Sequence, residues 1–461
     1  MFEFNIEERK YKKIHFIGIG GVSMSGIALL LKIRGYNVTG SDRSDSEYLK
    51  TLKDHGIEIH IGQKKENITD QNLFVYTDAI AENNEELIAA KATGKEVVTR
   101  GVFLGALMKN YKKSIAVSGS HGKSTTTAMI AKILINSAND ASILLGGVLD
   151  EMEGNVKIGN SEILLSEACE FKGNILNYYP STVIILNIDE DHLDYYKDLN
   201  HIVETFIGYM KNLDENSKAI INIDDVNTHR LIEHVKGEVI TFGLERKDAN
   251  YFMESVEYNE VGHPTFKLNM KDGSIEEFEL HIAGIHNIYN AISAIIASYE
   301  NGISIEEIKA GLKAYKSLHR RMETVGDYNG AVIMTDYGHH PVEIQTTLKT
   351  IDAFTDKNII TVFQPHTFSR TKALLDDFAD SFYDSDEVIV TDIFPAREEF
   401  DPTIHSKDLV EKLIQNGVNA KYIADFEDAK EYLQSKICKD DLVLTTGCGN
   451  PHVLAKMIVK K

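Results

Sequence analysis

Ser114-Ile-Ala-Val-Ser-Gly-Ser-His-Gly-Lys-Ser-Thr-Thr-Thr127 is the stretch that decides how this chain is read. Ser114 to Val117 is short and mostly apolar, as a buried strand is. Gly119-Ser-His-Gly122 can turn tightly, because glycine tolerates positive φ. Lys123-Ser124-Thr125 then opens a helix that continues through Ala128-Met-Ile-Ala-Lys-Ile-Leu134. A strand, a glycine turn and a helix N-terminus make an anion cradle, with backbone N–H groups and the helix dipole facing a phosphate. Gly119, Ser120, His121, Gly122 and Thr125 belong to that cradle. Lys123 is expected to reach the β- and γ-phosphates of ATP, and the Ser124 hydroxyl to hold Mg²⁺. Val117 stands where the usual P-loop has its first glycine, so this is a shortened Gly-x-x-Gly-Lys-Ser form. The plainer alternative is an ordinary strand-to-helix turn with a surface lysine.

The chain has 461 residues, too long for one core, and two or three domains are expected. A net charge of −21 argues against a nucleic-acid partner, since phosphate backbones demand a basic face. A bound nucleotide needs only a local cradle. Cys169, Cys438 and Cys448 show no paired spacing, so neither a disulfide framework nor a zinc site is indicated. The charged N-terminus lacks an apolar signal core, and no apolar run approaches membrane-spanning length. A cytoplasmic enzyme is the expectation.

From the N-terminus, Ile14-His-Phe-Ile17 reads as a strand. The turn Gly18-Ile-Gly-Gly-Val-Ser-Met-Ser-Gly26 follows, then a helix over Ile27–Ile33 and a strand over Tyr36–Thr39. This is a βαβ unit with an acid, Asp42, after its second strand. A nicotinamide dinucleotide is the reflex reading. It is weakened by Ser23 in the third glycine position and by the second phosphate loop at Gly119. Gly18, Gly20, Gly21 and Ser23 are candidates for holding the diphosphate of another nucleotide, with Asp42 near its ribose or base. The alternative is a tight turn with no ligand. Glu58–Ile61, Leu73–Tyr76 and Glu96–Thr99 continue as strands, and a boundary is expected near 107–112.

In the middle third, Ile163–Glu170 reads as a strand ending in acids. Thr182–Ile188 reads as a buried strand followed by Asp189-Glu-Asp-His192-Leu-Asp194. Ligand residues of open α/β sheets lie beyond the carboxyl ends of strands, which places Glu167, Asp189, Asp191, His192 and Asp194 around the phosphates. The alternative for these acids is a solvated helix N-terminus. Strands follow at Ala219–Ile223 and Val239–Gly243, with an antiparallel excursion over 250–282. His286, Asn287 and Asn290 share the start of an apolar helix. They read as ligand-facing, with helix capping as the alternative.

A hinge is expected at Ser317-Leu-His-Arg320-Arg321-Met-Glu323. Beyond it, four strands each end in a polar or glycine-rich turn. These are Asp336-Tyr337-Gly-His339-His340-Pro341, Gln364-Pro-His366-Thr-Phe-Ser-Arg370, Thr391-Asp392 and Thr445-Thr-Gly447-Cys-Gly449. Four such ends on one sheet edge read as a substrate face.

In this order, the Gly18–Gly26 and Gly119–Thr127 loops, Glu167-Ala-Cys-Glu170, Asn187-Ile-Asp-Glu-Asp-His192, His286-Asn287, Asp336-Tyr-Gly-His-His-Pro341 and Phe363-Gln-Pro-His-Thr-Phe-Ser-Arg370 resemble the bacterial Mur ligases. The resemblance spans nearly the whole chain and is strongest to the branch that adds L-alanine to UDP-N-acetylmuramate. It implies an α/β fold of three domains: a Rossmann-like UDP-substrate domain (1–108), a central P-loop-type ATPase domain (109–317) and a Rossmann-like amino-acid domain (318–461). It implies that ATP and Mg²⁺ activate the carboxylate as an acyl phosphate, which L-alanine's amine then attacks, in peptidoglycan precursor synthesis. Residue by residue, it implies phosphate and Mg²⁺ positions at Lys123 and Ser124. It implies a second metal at Glu167 and His192, and nucleotide or substrate contacts at His286, Asn287, Asn290 and Arg321. On the C-terminal side it implies Asp336, Tyr337, His339 and His340, with Arg370 at the alanine carboxylate. Ser23, Cys169-Glu170, Thr335 and Thr367 depart from the family's usual residues. The alternatives are a ligase that joins a recycled tripeptide to UDP-N-acetylmuramate, an NAD-binding oxidoreductase or binding module, and a generic P-loop ATPase.

Overall fold

The structure, a computed structural model, describes residues 2–460 apart from 153, 193, 194, 260, 261 and 397. Asp194 therefore lies outside the described residues. Three sheets follow one another along the chain. The first is wholly parallel, in the spatial order Glu58–Ile61, Asn37–Asp42, Lys13–Ile17, Leu73–Tyr76 and Glu96–Thr99.

The second sheet has ten strands and is centred on Lys113–Ser118, which pairs in parallel with Thr182–Ile185 on one side and Ile163–Glu167 on the other. Successive side chains of a strand point to opposite faces, and both faces of this sheet are covered. Ile115, Val117 and Ile184 pack under the helices Lys123–Asn136 and Ile285–Glu300. Ala116, Val183 and Ile185 pack in a core that runs without a break into the first sheet. The expected antiparallel excursion is present as Tyr251–Tyr258, Pro264–Asn269 and Ile275–Glu279, which extend one edge of this same sheet.

The third sheet orders Glu323–Tyr328, Ala331–Asp336, Asp441–Thr446, Asn358–Phe363, Glu387–Val390 and Ala420–Tyr422. All are parallel except the first pair. Alternation again splits its core: Ile359, Phe363 and Leu444 face one side, and Ile360, Val362 and Val443 the other. Among the described residues, no helix is long and apolar enough to cross a membrane.

Two expectations need correction, and one pair of strands was not anticipated. The helix placed at Ile27–Ile33 begins at Val22, with Gly21 as its cap. Gly26 is thus helical, and its missing side chain admits Leu144, whose Cδ2 lies 3.2 Å from where a Cβ would stand. The strand placed at Thr182–Ile188 stops at Ile185, where its neighbour reaches Ser118. The antiparallel pair Ser142–Leu149 and Gly154–Lys157, with a bulge between Leu144 and Leu149, is an element for which the sequence reading made no assignment.

The first and second sheets are joined by close backbone approach. A Cβ at Gly105, in the helix Arg100–Met108, would lie 1.7 Å from the Asn177 carbonyl oxygen. In an exposed helix Gly→Ala gains up to about 1 kcal/mol. Here Gly105→Ala is expected to lose about 1–3 kcal/mol through overpacking. Thermal unfolding of the variant gives the sign, and an unchanged or raised Tm would contradict this reading of the junction.

Candidate active site

The phosphate loop has the conformation its glycines allow. Gly119 (φ +138°) and Gly122 (φ +84°) occupy backbone regions that other residues avoid, and Gly122 caps the helix Lys123–Asn136. A Cβ at Gly122 would stand 2.4 Å from Asn290 Oδ1, so the loop also packs against the helix that carries Asn290. Lys123 Nζ donates to the Gly119 carbonyl, to the Ser120 carbonyl (2.9 Å) and to both Glu170 carboxylate oxygens (3.1 Å). Burial opposes the ammonium charge, but Glu170 outweighs it and holds Lys123 above its usual pKa.

Ser124 Oγ donates to Glu167 Oε2 at 3.1 Å, and the Gly146 N–H donates to Glu167 Oε1 at 2.7 Å. A side chain at 146 would collide with that carboxylate, which explains the glycine inside the unexpected strand. Burial raises the Glu167 pKa against these two donors. Beside it, ligand atoms of Glu170, Asp191 and His192 lie within 4.8 Å of one another. Burial would raise Asp191, but His192 and Arg370 hold it well below the usual carboxylate range. Asp191 Oδ1 accepts from Arg370 at 2.8 Å, a contact from the third sheet to the second. Residues 189–192 are loop, not helix, and the next helix is capped by Asp198, so the solvated helix N-terminus does not describe these acids.

A second set of contacts crosses the same cleft. His121 Nε2 lies 3.2 Å from Asp189 Oδ2 and its Nδ1 lies 3.4 Å from Glu343 Oε1. Burial disfavours the imidazolium, but Asp189 and Glu343 raise the His121 pKa to about 9. Glu343 also accepts from the His339 N–H (3.1 Å) and faces His339 Nδ1 (3.3 Å). Burial lowers His339 to about 4, so this imidazole is neutral. Asp336 accepts from the Met322 N–H (2.8 Å) and the Gly338 N–H (2.6 Å), which fixes the hinge to the start of the next turn. The Arg320 and Arg321 guanidinium groups lie 4.7 and 5.0 Å from the Tyr337 ring centre.

Two cavities meet at the phosphate loop, and Gly122, Arg321 and Glu343 line both. The smaller, about 680 Å³, is lined by Ser120, Lys123, Ser124, Glu167, Asp191, His192, Tyr337, His339 and Arg370, with Val22 and Tyr48 from the first domain. The larger, about 1190 Å³, is lined by His121, Thr125, His286, Asn287, Asn290 and Asp336. His286, Asn287 and Asn290 thus share one cavity wall, and none of them caps its helix, which starts at Gly284. Of the four strand ends on the third sheet, those after Asp336, Phe363 and Thr446 reach the smaller cavity; the described residues of the end after Val390 line neither.

Other candidate residues are placed elsewhere. Gly18, Gly20, Gly21, Ser23 and Asp42 line neither cavity. Asp42 Oδ2 accepts from the Gly20 N–H at 2.8 Å, so it braces the turn, and Ser23 Oγ accepts from Arg100 at 3.4 Å. Gly119 and His340 are not among the residues that line either cavity. Glu343 and Tyr48 were missed as site residues. Glu343 had a readable position, three residues after a histidine pair at a proline-started helix. Tyr48 had none, since only folding brings it to the cleft.

The donor set fits a hard divalent cation: the Ser124 hydroxyl with the Glu167 carboxylate beside it, and the cluster of Glu170, Asp191 and His192. Lysine and arginine converge from two domains on the space in front of a phosphate loop. The arrangement can hold a nucleoside triphosphate in one cavity and present its terminal phosphate to an acceptor in the other.

Comparison with known proteins agrees with this geometry. Residues 13–112 match the model of the Mur ligase family catalytic domain, residues 117–298 the Mur ligase middle domain, and residues 320–449 the Mur ligase glutamate ligase domain. A UDP-N-acetylmuramate–L-alanine ligase of Acetivibrio thermocellus is 43% identical over 99% of this chain and 97% of its own. The enzyme of the same name from Alkaliphilus metalliredigens is 42% identical, covering 100% of this chain and 99% of its own. The crystal structure of UDP-N-acetylmuramate–alanine ligase from Thermotoga maritima superposes with a TM-score of 0.82 at 26% identity, covering 97% of this chain and 98% of that one. A murein peptide ligase of Psychrobacter arcticus shares the fold, with a TM-score of 0.74 at 22% identity, covering 97% and 98%. The chain belongs to the Mur ligase family.

Proposed function

We propose that this protein is an ATP-dependent ligase that joins L-alanine to the carboxylate of UDP-N-acetylmuramate in peptidoglycan precursor synthesis, releasing ADP and phosphate. The observation that carries the reading is the phosphate loop at the meeting point of two cavities. The full-length identity to alanine-adding ligases supports the amine. The same reading divides the chain at 1–108, 109–317 and 318–461, and its setting is the cytoplasm.

In this reading the larger cavity takes the nucleoside, against Thr125, His286, Asn287, Asn290 and Asp336. Lys123 and Arg321 face the phosphates. Ser124 with Glu167, and His192 with Glu170 and Asp191, are the residues to hold Mg²⁺, which would offset phosphate charge. The smaller cavity takes the acceptor. Its carboxylate oxygen attacks the γ-phosphorus and ADP departs, giving an acyl phosphate. Lys123, held by Glu170, would face the charge that develops there. The amine of L-alanine then attacks the acyl carbon, and phosphate leaves with the former carboxylate oxygen. Arg370, which lines the smaller cavity, would face the alanine carboxylate. Neutral His339 can accept a hydrogen bond from the incoming amine.

Purified protein with ATP, Mg²⁺ and UDP-N-acetylmuramate should release phosphate when L-alanine is added. It should stay at background with L-Ala-γ-D-Glu-diaminopimelate or with no amine. Release with the tripeptide alone would move the function to the recycling reaction. Lys123→Ala should lower the L-alanine-dependent rate by at least about 10²–10³-fold, the range for loss of one charge-stabilising donor. Ligation at the parent rate in that variant would refute the phosphate role.

The His121 ion pairs give a pH dependence of known sign. The folded pKa, about 9, lies above the ordinary 6.5. Their contribution is therefore complete below about pH 6.5 and fades as pH rises through about 9. The Tm should fall over that interval, and fall less in His121→Asn. Parallel curves for the two proteins would show that His121 does not carry the effect.

A further inference from the structure

One cluster in the cleft is not absorbed by the ligase chemistry. Ligand atoms of His121, Asp189 and His340 all lie within 4.8 Å of one another. His121 and Asp189 come from the central domain, on the phosphate loop and beyond the strand Thr182–Ile185. His340 comes from the third domain, at the N-terminal end of the helix Pro341–Asp352. The two imidazole rings are 5.2 Å apart, centre to centre. His340 is only 5% exposed, yet among the described residues neither of its ring nitrogens has a well-formed hydrogen bond; its one polar approach is a loose capping contact from the Glu343 N–H. A buried imidazole so weakly bonded is uncommon, because burying an unpaired polar group costs free energy.

The neighbours arrange the other two groups as metal ligands are usually arranged. Glu343 Oε1 stands 3.4 Å from His121 Nδ1 and so turns Nε2 toward Asp189. A carboxylate behind a histidine is the common outer support of a metal-bound imidazole. Asp189 Oδ1 is occupied by the Glu190 N–H at 2.8 Å, which leaves Oδ2 facing the histidines. Two imidazoles and one carboxylate suit a borderline-soft ion of the zinc class over Mg²⁺, and three protein ligands leave a fourth position for water.

We propose that His121, Asp189 and His340 form a transition-metal site, distinct from the Glu170–Asp191–His192 cluster, that takes a Zn²⁺-class ion and clamps the third domain onto the central one. The ion joins the two halves of the cleft by ligand bonds. Binding therefore favours the closed arrangement and slows its reopening.

Co²⁺ serves as the probe, because tetrahedral Co²⁺ with nitrogen ligands absorbs visibly. The full-length protein is titrated with Co²⁺ in excess Mg²⁺, with Zn²⁺ as competitor. One Co²⁺ per chain is expected, displaced by Zn²⁺. Asp189→Asn and His340→Gln, one variant in each domain, should each weaken binding by more than the roughly 10–100-fold that loss of an outer support produces. His192→Gln should leave the spectrum unchanged. Thermal unfolding of each variant confirms that it is folded. Loss of the band in His192→Gln with retention in the other two would assign the ion to the other cluster and overturn the proposal. Absence of any site tighter than millimolar in the parent protein would do the same.

Discussion

The ion pair between Lys123 and Glu170 is the constraint on which the rest of the site depends. A largely buried ammonium needs partners, and this one has two loop carbonyls and a carboxylate that is 1% exposed. Buried ion pairs are poor sources of stability, since desolvation offsets much of the attraction. What this one does is position. It fixes the lysine in front of the phosphate loop and, through Glu170, sets the distance from that loop to Asp191 and His192. Arg370 then meets Asp191 from the third domain, so one chain of charges runs from the ATP loop to the far wall of the cleft.

The two ways in which the domains are joined follow from what lies at their borders. The first and central sheets share one apolar core, and Gly105 lets their backbones touch. The third domain has cores of its own on both faces of its sheet. Arg370–Asp191 and His121–Glu343 are charged links from it to the central domain. An apolar joint excludes water and is stiff; a charged one can be resolvated. The charged border thus lies at the cleft, where residues of the central and third domains line both cavities.

Much of this was legible in the sequence. The phosphate loop was readable from spacing alone, because glycines at positive φ and a helix-opening Lys-Ser leave few alternatives. Strand-end polar residues of the third domain were readable from the rule that parallel sheets bind ligands at their carboxyl edge. The roles of Asp42 and Gly26 were not, because a close approach and a phosphate turn use the same residue types. Asp42 proved to brace its own turn, and Gly26 to admit Leu144. The strand through Gly146-Gly147 was hidden for the same reason: its glycine makes room for Glu167, a partner distant in sequence. Glu343 stood in a readable position beside the histidine pair, whereas Tyr48 reaches the cleft only through folding, which no local pattern records.

In the proposed reaction the phosphate loop passes the γ-phosphoryl group to a carboxylate across the junction of the two cavities. UDP-N-acetylmuramate labelled with ¹⁸O in its lactyl carboxylate tests this when it is turned over with ATP and L-alanine and the released phosphate is examined by mass spectrometry. An acyl phosphate carries one carboxylate oxygen into the phosphate, so one ¹⁸O atom per released phosphate is predicted. Unlabelled phosphate formed together with the alanyl amide would rule out an acyl phosphate.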